Sequence, residues 1–263
     1  MQNKNLQRQI PTYFIMAKIP FRGLFILWIL VQSLHGRIPE TGATAELGAE
    51  RLFQGQESHR GWSATLGGGQ PWSIHGYSNA FVQTSVALRN ARIATGFSYS
   101  GLDSIYSSGQ WEFGADARWR NFFVSALHGE ELQMVPGFRK TWIHSTSGSL
   151  GYSLREQVAF AIGVSLETSC ICSQIAIQWK LGHYYLMHWE LKNNPDRSIG
   201  ITFGQRLALA STFAVSTGIS YPERIVGASL VFSTKSFTVD ATQIWHPLLS
   251  PSRFTSLSWS QDD

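Results

Sequence analysis

Charge is scarce in this sequence. Asp, Glu, Lys and Arg make up 14% of its 263 residues, against about a quarter in an ordinary soluble domain, so a surface that meets water on every side is not expected. Metal-binding spacing is missing as well. There are 8 histidines but neither a His-Glu-x-x-His nor a Cys-x-x-Cys pattern, and no metal or cofactor is expected. The 2 cysteines, Cys170 and Cys172 in "SCICSQ", stand too close in an extended chain for an easy disulfide and read as loop thiols. "LGGGQPW", residues 66–72, lacks the Lys-Ser/Thr that follows in a phosphate loop and reads as a flexible turn. The apolar run "GLFILWILV", residues 23–31, is too short for a comfortable membrane helix and has the length of a secretory signal core.

The net charge of +4 is local. Lys4, Arg8, Lys18, Arg22 and Arg37 stand against Glu40 in the first 45 residues, which leaves the rest of the 21 basic and 17 acidic residues balanced at sixteen each. A basic body that binds nucleic acid is therefore not expected. Residues 1–45 are read as a cleaved signal peptide, with a start-codon extension before Met16, and residues 46–61 as a periplasmic or plug segment. The barrel proper is assigned to residues 62–263.

What is abundant is alternation. In "RSIGITFGQ", residues 197–205, Ile199, Ile201 and Phe203 fall on one face and Ser198, Gly200, Thr202 and Gly204 on the other. "VAFAIGVSLE" and "WEFGADARW" repeat the design, and from Gly61 onward period two dominates over 3.6. Strands are predicted at 62–69, 80–88, 92–99, 110–119, 121–128, 147–153, 157–167, 173–182, 184–191, 197–205, 208–220, 225–233, 236–243 and 253–260. One alternating set of connections, dominated by the twenty-residue "HGEELQMVPGFRKTWIHSTS", is longer than the other, which includes "GQRLA" at 204–208. That asymmetry is the pattern of outer loops and periplasmic turns. The sequence thus predicts an all-β, antiparallel, up-and-down transmembrane β-barrel of about fourteen strands, with twelve as the alternative count, in the bacterial outer membrane. Trp111, Trp119, Trp179, Trp189, Trp245, Trp259, Tyr99, Tyr152 and Tyr221 are assigned to its interfacial girdles. Outer-membrane lipid and the barrel-assembly machinery are its expected partners.

The tail "DATQIWHPLLSPSRFTSLSW", residues 240–259, resembles the C-terminal hairpin of the long-chain fatty-acid-transporter-like superfamily, especially its PorV and PorQ group. His246 and Pro247 match the His-Pro dipeptide of that group. Phe254, Leu257 and Trp259 match a terminal aromatic strand that looks like the signal read by the assembly machinery. The Asn-Pro-Ala motif of the family is absent near Gln83-Thr84-Ser85. The resemblance implies a non-enzymatic barrel that transports hydrophobic compounds or assists type IX-like secretion, with secretion-system subunits or a hydrophobic small molecule as partners.

Glu112, Asp116, Arg118, Lys180 and Glu190 are the candidate lumen residues, as a charged constriction or a salt-bridge lattice. Two other classes fit the sequence less well. "IHGYSNAF" resembles the His-x-Ser-Asn stretch of barrel lipid A deacylases and phospholipases, but His75 and Ser78 are three apart, which sets them on opposite faces of a regular strand. A secreted soluble β-sandwich is compatible with each strand alone, although its solvent face should carry more Lys and Glu than Ser, Gly and Ala.

Overall fold

Alternating sequence of this kind folds into a single closed sheet. The computed structural model describes residues 61–102, 105–154, 157–167, 170–182, 184–193 and 199–262. The segment read as signal peptide (1–45) and residues 46–60 of the segment read as plug (46–61) lie outside the described residues, whereas Gly61 opens the first strand. The first seven strands are β1 (Gly61–Gln70), β2 (Tyr77–Ala87), β3 (Ala91–Leu102), β4 (Tyr106–Trp119), β5 (Phe122–Met134), β6 (Thr141–Leu154) and β7 (Val158–Glu167). Then follow β8 (Cys170–Leu181), β9 (Tyr185–Asn193), β10 (Gly200–Ala210), β11 (Phe213–Tyr221), β12 (Ile225–Ser233), β13 (Phe237–His246) and β14 (Leu249–Asp262). Each pairs antiparallel with the next, and β1 pairs with β14 to close the 14-stranded barrel. Gly61 lies opposite Asp262, so both ends of the sheet share one rim. Connections at that rim are two or three residues long, whereas those at the other rim run from two to six, the longest at 71–76, 135–140 and 194–199.

The two faces of the wall are sorted by chemistry. On β7, Val158, Phe160, Ile162, Val164 and Leu166 point outward while Ala159, Ala161, Gly163 and Ser165 point inward. On β10, Ile201 is 39% exposed and its neighbour Thr202 8%. The alternation is that of a pleated strand, but its sense is inverted relative to a soluble protein: the large apolar side chains are the exposed ones. A continuous apolar exterior of this extent is not stable in water and is what a closed barrel presents to hydrocarbon. All nine aromatic residues assigned to girdles are exposed on the outward rows. Trp119, Phe122 and Tyr152 run across three neighbouring strands at the short-turn rim, with ring centroids 6.5 and 5.0 Å apart. The guanidinium of Arg120 lies 5.2 Å from the Trp119 ring centroid. Arg120 itself takes the positive φ of 56° that its two-residue hairpin turn requires.

Inside, large residues are seated on small ones. Phe81, Phe254 and Phe123 lie directly across from Gly67, Gly69 and Gly151. A Cβ at any of these three glycines would overlap the facing ring. Phe123 packs with Ala159, Ala161 and Ala176 in a buried cluster, the apolar core of the inner wall. Burial of a phenylalanine of this kind is worth about 1.5–3 kcal/mol.

The structure corrects several sequence expectations. The predicted twenty-residue loop is mostly strand: β5 runs to Met134, β6 starts at Thr141, and only 135–140 connects them. Its outward polar residues cluster along the hairpin. Glu130 Oε1 lies 3.7 Å from His128 Nε2 and 3.6 Å from His144 Nδ1, and His128 Nδ1 is 3.0 Å from Thr146 Oγ1. The "GQRLA" turn is strand as well; β10 continues to Ala210 and the reversal falls at 211–212. The glycine-rich stretch read as a flexible turn belongs to β1, where its glycines receive the rings of Phe81 and Phe254. Cys170 and Cys172 are not loop thiols but inward residues of β8.

Candidate functional site: the polar lining

Hydroxyl groups stitch the inner rows of neighbouring strands together. Ser63 and Ser85 meet at 2.8 Å, Ser125 and Ser149 at 2.6 Å, and Ser216 and Ser229 at 2.8 Å, while Thr65 donates to Ser258 at 2.9 Å. Short hydroxyl side chains fit here because larger ones would fill the interior, and cross-strand pairs of this type stabilise a sheet modestly.

Against this background stand the charged groups. On the inner faces of β4 and β5, Gln110 Nε2 donates to Glu112 Oε1 at 2.8 Å. Ser108 Oγ and Gln133 Nε2 donate to Glu131 Oε1 at 2.6 and 2.8 Å. Both carboxyl groups belong to buried residues, and Gln110 lies directly across from Glu131. Glu112 faces Gly129 on β5, where a Cβ would press on Ser145 Oγ at 2.8 Å. Across β3 and β4, Arg92 Nε donates to Asp116 Oδ2 at 2.8 Å, a charge-assisted bond stronger than the hydroxyl pairs. Arg118 Nε donates to the carbonyl of Arg120 at 3.1 Å. On the far wall, Thr242 Oγ1 donates to Asp240 Oδ1 at 2.6 Å.

The five residues predicted for the lumen all lie on inward rows, but they do not converge on one ring. Glu112 joins Glu131, which sequence reasoning had left in a loop. Asp116 pairs with Arg92, and Arg118 turns to the backbone of the short-turn rim. Glu190 is buried between Ala176 and Thr202, whereas Lys180 lies across from Leu186, four positions along the sheet. Glu131, Arg92, His188, Arg206 and Asp240 are further inward residues that the sequence reading did not single out. Strict parity within the predicted strands would have found Arg92, His188 and Asp240, whereas Glu131 and Arg206 fell in segments read as connections.

The assembly-signal residues divide between the faces. Phe254 points inward onto Gly69, and Leu257 and Trp259 point outward. Trp259 lies 5.9 Å from Trp62 across the β1–β14 seam. His246 Nδ1 accepts the Leu248 N–H at 3.2 Å, so the His246-Pro247 pair closes the β13–β14 turn. His75 is exposed in the connection before β2, and Ser78 is exposed on the outward row of β2, so the two share no strand face. At the long-loop rim, a cavity of about 550 Å³ is lined by Tyr99, Leu102, Tyr106, Met134, Phe138 and Lys140, among others.

A closed antiparallel barrel with an apolar exterior, aromatic edges and a hydroxyl-rich lining is a transmembrane β-barrel of the bacterial outer membrane. No family model matches the sequence, and no curated protein matches it. Among solved structures, the outer membrane protein Omp33 of Acinetobacter baumannii aligns with 79% of this chain and 100% of its own at 9% identity, with a TM-score of 0.55. The likeness is one of fold. The KdgM porin aligns with 76% of this chain and 99% of its own at 9% identity and a TM-score of 0.45. A bacterial polysaccharide outer membrane secretin aligns with 79% and 100% at 11% identity, also at 0.45.

Proposed function

We propose that this barrel is a passive outer-membrane pore for small hydrophilic solutes. The observation that carries the reading is the sorting of one wall into an apolar outside and an inside of Ser, Thr, Gly, Gln and charged groups. Among described inward side chains, Glu112, Asp116, Glu131, Glu190 and Asp240 are opposed by Arg92, Arg118, Lys180, Lys192 and Arg206. Such a balance favours weak discrimination between cations and anions. Reconstituted into planar bilayers, the protein should give stepwise conductance with K⁺ and Cl⁻ permeabilities of the same order, and Glu112→Gln should shift the ratio toward Cl⁻. Absence of both conductance and sugar-driven swelling of proteoliposomes would refute the reading.

A second reading, uptake of a hydrophobic compound, is supported by the rim cavity with Leu102, Met134 and Phe138 in its lining. Binding of a fluorescent fatty acid that is lost in Phe138→Ser would favour it. The accessory role in type IX-like secretion rests on the PorV- and PorQ-like tail alone, where His246 accepts the Leu248 N–H at the β13–β14 turn.

A further inference from the structure

We infer that Cys170 and Cys172 form a binding site for a soft monovalent metal ion of the Cu(I) or Ag(I) class on the inner face of β8. Between them Ile171 points outward, so alternation puts both thiols on the same inner row. Neither is in a disulfide, and their Sγ atoms lie 4.0 Å apart. With metal–sulfur bonds of about 2.3 Å, as in zinc thiolates, one ion held by both sulfurs at 4.0 Å would subtend roughly 120°. No backbone movement is needed to reach that geometry. Cys172 is 0% exposed and Cys170 half-buried, so an ion would enter past Cys170. Directly across from Cys172 on β7 stands Ser165, whose Oγ is buried and makes no hydrogen bond. That hydroxyl is an oxygen donor facing the pair without another occupation.

The donor set selects the ion. Thiolates favour soft cations such as Cu(I), zinc and iron–sulfur clusters. Zinc and iron–sulfur sites need three or four strong protein ligands. Among the described residues no group of three or more His, Cys, Asp or Glu is placed to share an ion. Two sulfurs and a weak oxygen suit a two- or three-coordinate monovalent ion instead. Binding exchanges two S–H protons for one M⁺, giving a bis-thiolate of net charge −1, with both protons released to water and no change of oxidation state.

The test uses the full-length barrel in detergent, reduced with a phosphine that is then removed under inert gas, and titrated with Ag(I) or with Cu(I) as its acetonitrile complex. One ion should bind per chain, with a near-ultraviolet thiolate-to-metal absorption band and protection of both thiols from alkylation. Ser165→Ala should weaken binding by about tenfold. Cys172→Ser should abolish the band, while heat-modifiable migration confirms that the barrel still forms. Equal uptake by the Cys170→Ser/Cys172→Ser double variant, uptake without thiol protection, or no stoichiometric uptake by the reduced protein would each overturn the assignment.

Discussion

Replacing Ile162 with Arg separates a lipid-facing wall from a water-facing one. Ile162 is 57% exposed at the middle of β7, with Leu150 and Ile175 beside it on the outward rows of β6 and β8. A strand residue rises about 3.3 Å, and a tilt of about 40° reduces this to roughly 2.5 Å along the membrane normal. Val158, four positions away and paired with Trp179, therefore lies roughly 10 Å closer to the short-turn interface. Arg at the midplane costs about 2–4 kcal/mol and Arg near the interface about 0–1. Ile162→Arg should thus lower the folding equilibrium by about 30- to 1,000-fold and Val158→Arg by less than about tenfold. Urea-driven folding into short-chain phosphatidylcholine vesicles, followed by tryptophan fluorescence, measures both. Were these positions bathed in water, Ile162→Arg would fall within about 0.5 kcal/mol of the parent. That outcome, or equal losses at the two positions, would refute the membrane assignment of β7.

Other perturbations probe the interior and the rims. Gly151→Ala should destabilise the barrel by about 1–3 kcal/mol because its Cβ would overlap the Phe123 ring; Phe123→Ala in the same chain should recover part of the loss in a double-mutant cycle, and additivity would count against the contact. Trp259→Asp removes the aromatic pair across the seam, worth about 0.5–1.5 kcal/mol, and should reduce heat-modifiable barrel in the outer membrane; normal levels would argue against a role in assembly. Arg92→Ala leaves Asp116 without its 2.8 Å partner and should raise cation over anion permeability; an unchanged ratio would place that pair away from the solute path.

The strands were legible because a two-residue repeat of large and small side chains survives any uncertainty about neighbours. Turns were less so. Around Ser211 and Thr212 the small residues continue on both sides of the reversal, and nothing local marks the two positions where the chain turns. The hairpin tip of β5 and β6 was hidden for the opposite reason. His128, Glu130 and His144 are polar on the outward face, which reads as loop until cross-strand pairing makes them one another's partners. Gly67, Gly69 and Gly151 look like points of flexibility in one dimension; the rings that occupy the space beside them come from other strands. Glu131 was lost with the loop it was assigned to, and with it the carboxyl pair of the inner wall.

The seam between β1 and β14 also sets the order of events in making the molecule. Gly61 must wait for Asp262, and Gln70 for Arg253, so one edge of the first strand stays open until nearly the whole chain has been delivered. During that interval its N–H and C=O groups are a template for any passing strand, and the long closure is entropically slow. Completion is consequently all or none. A chain stopped before β14 does not yield a slightly smaller barrel; it yields an open sheet with two adhesive borders and an apolar back, a substrate for chaperones and proteases rather than a membrane protein.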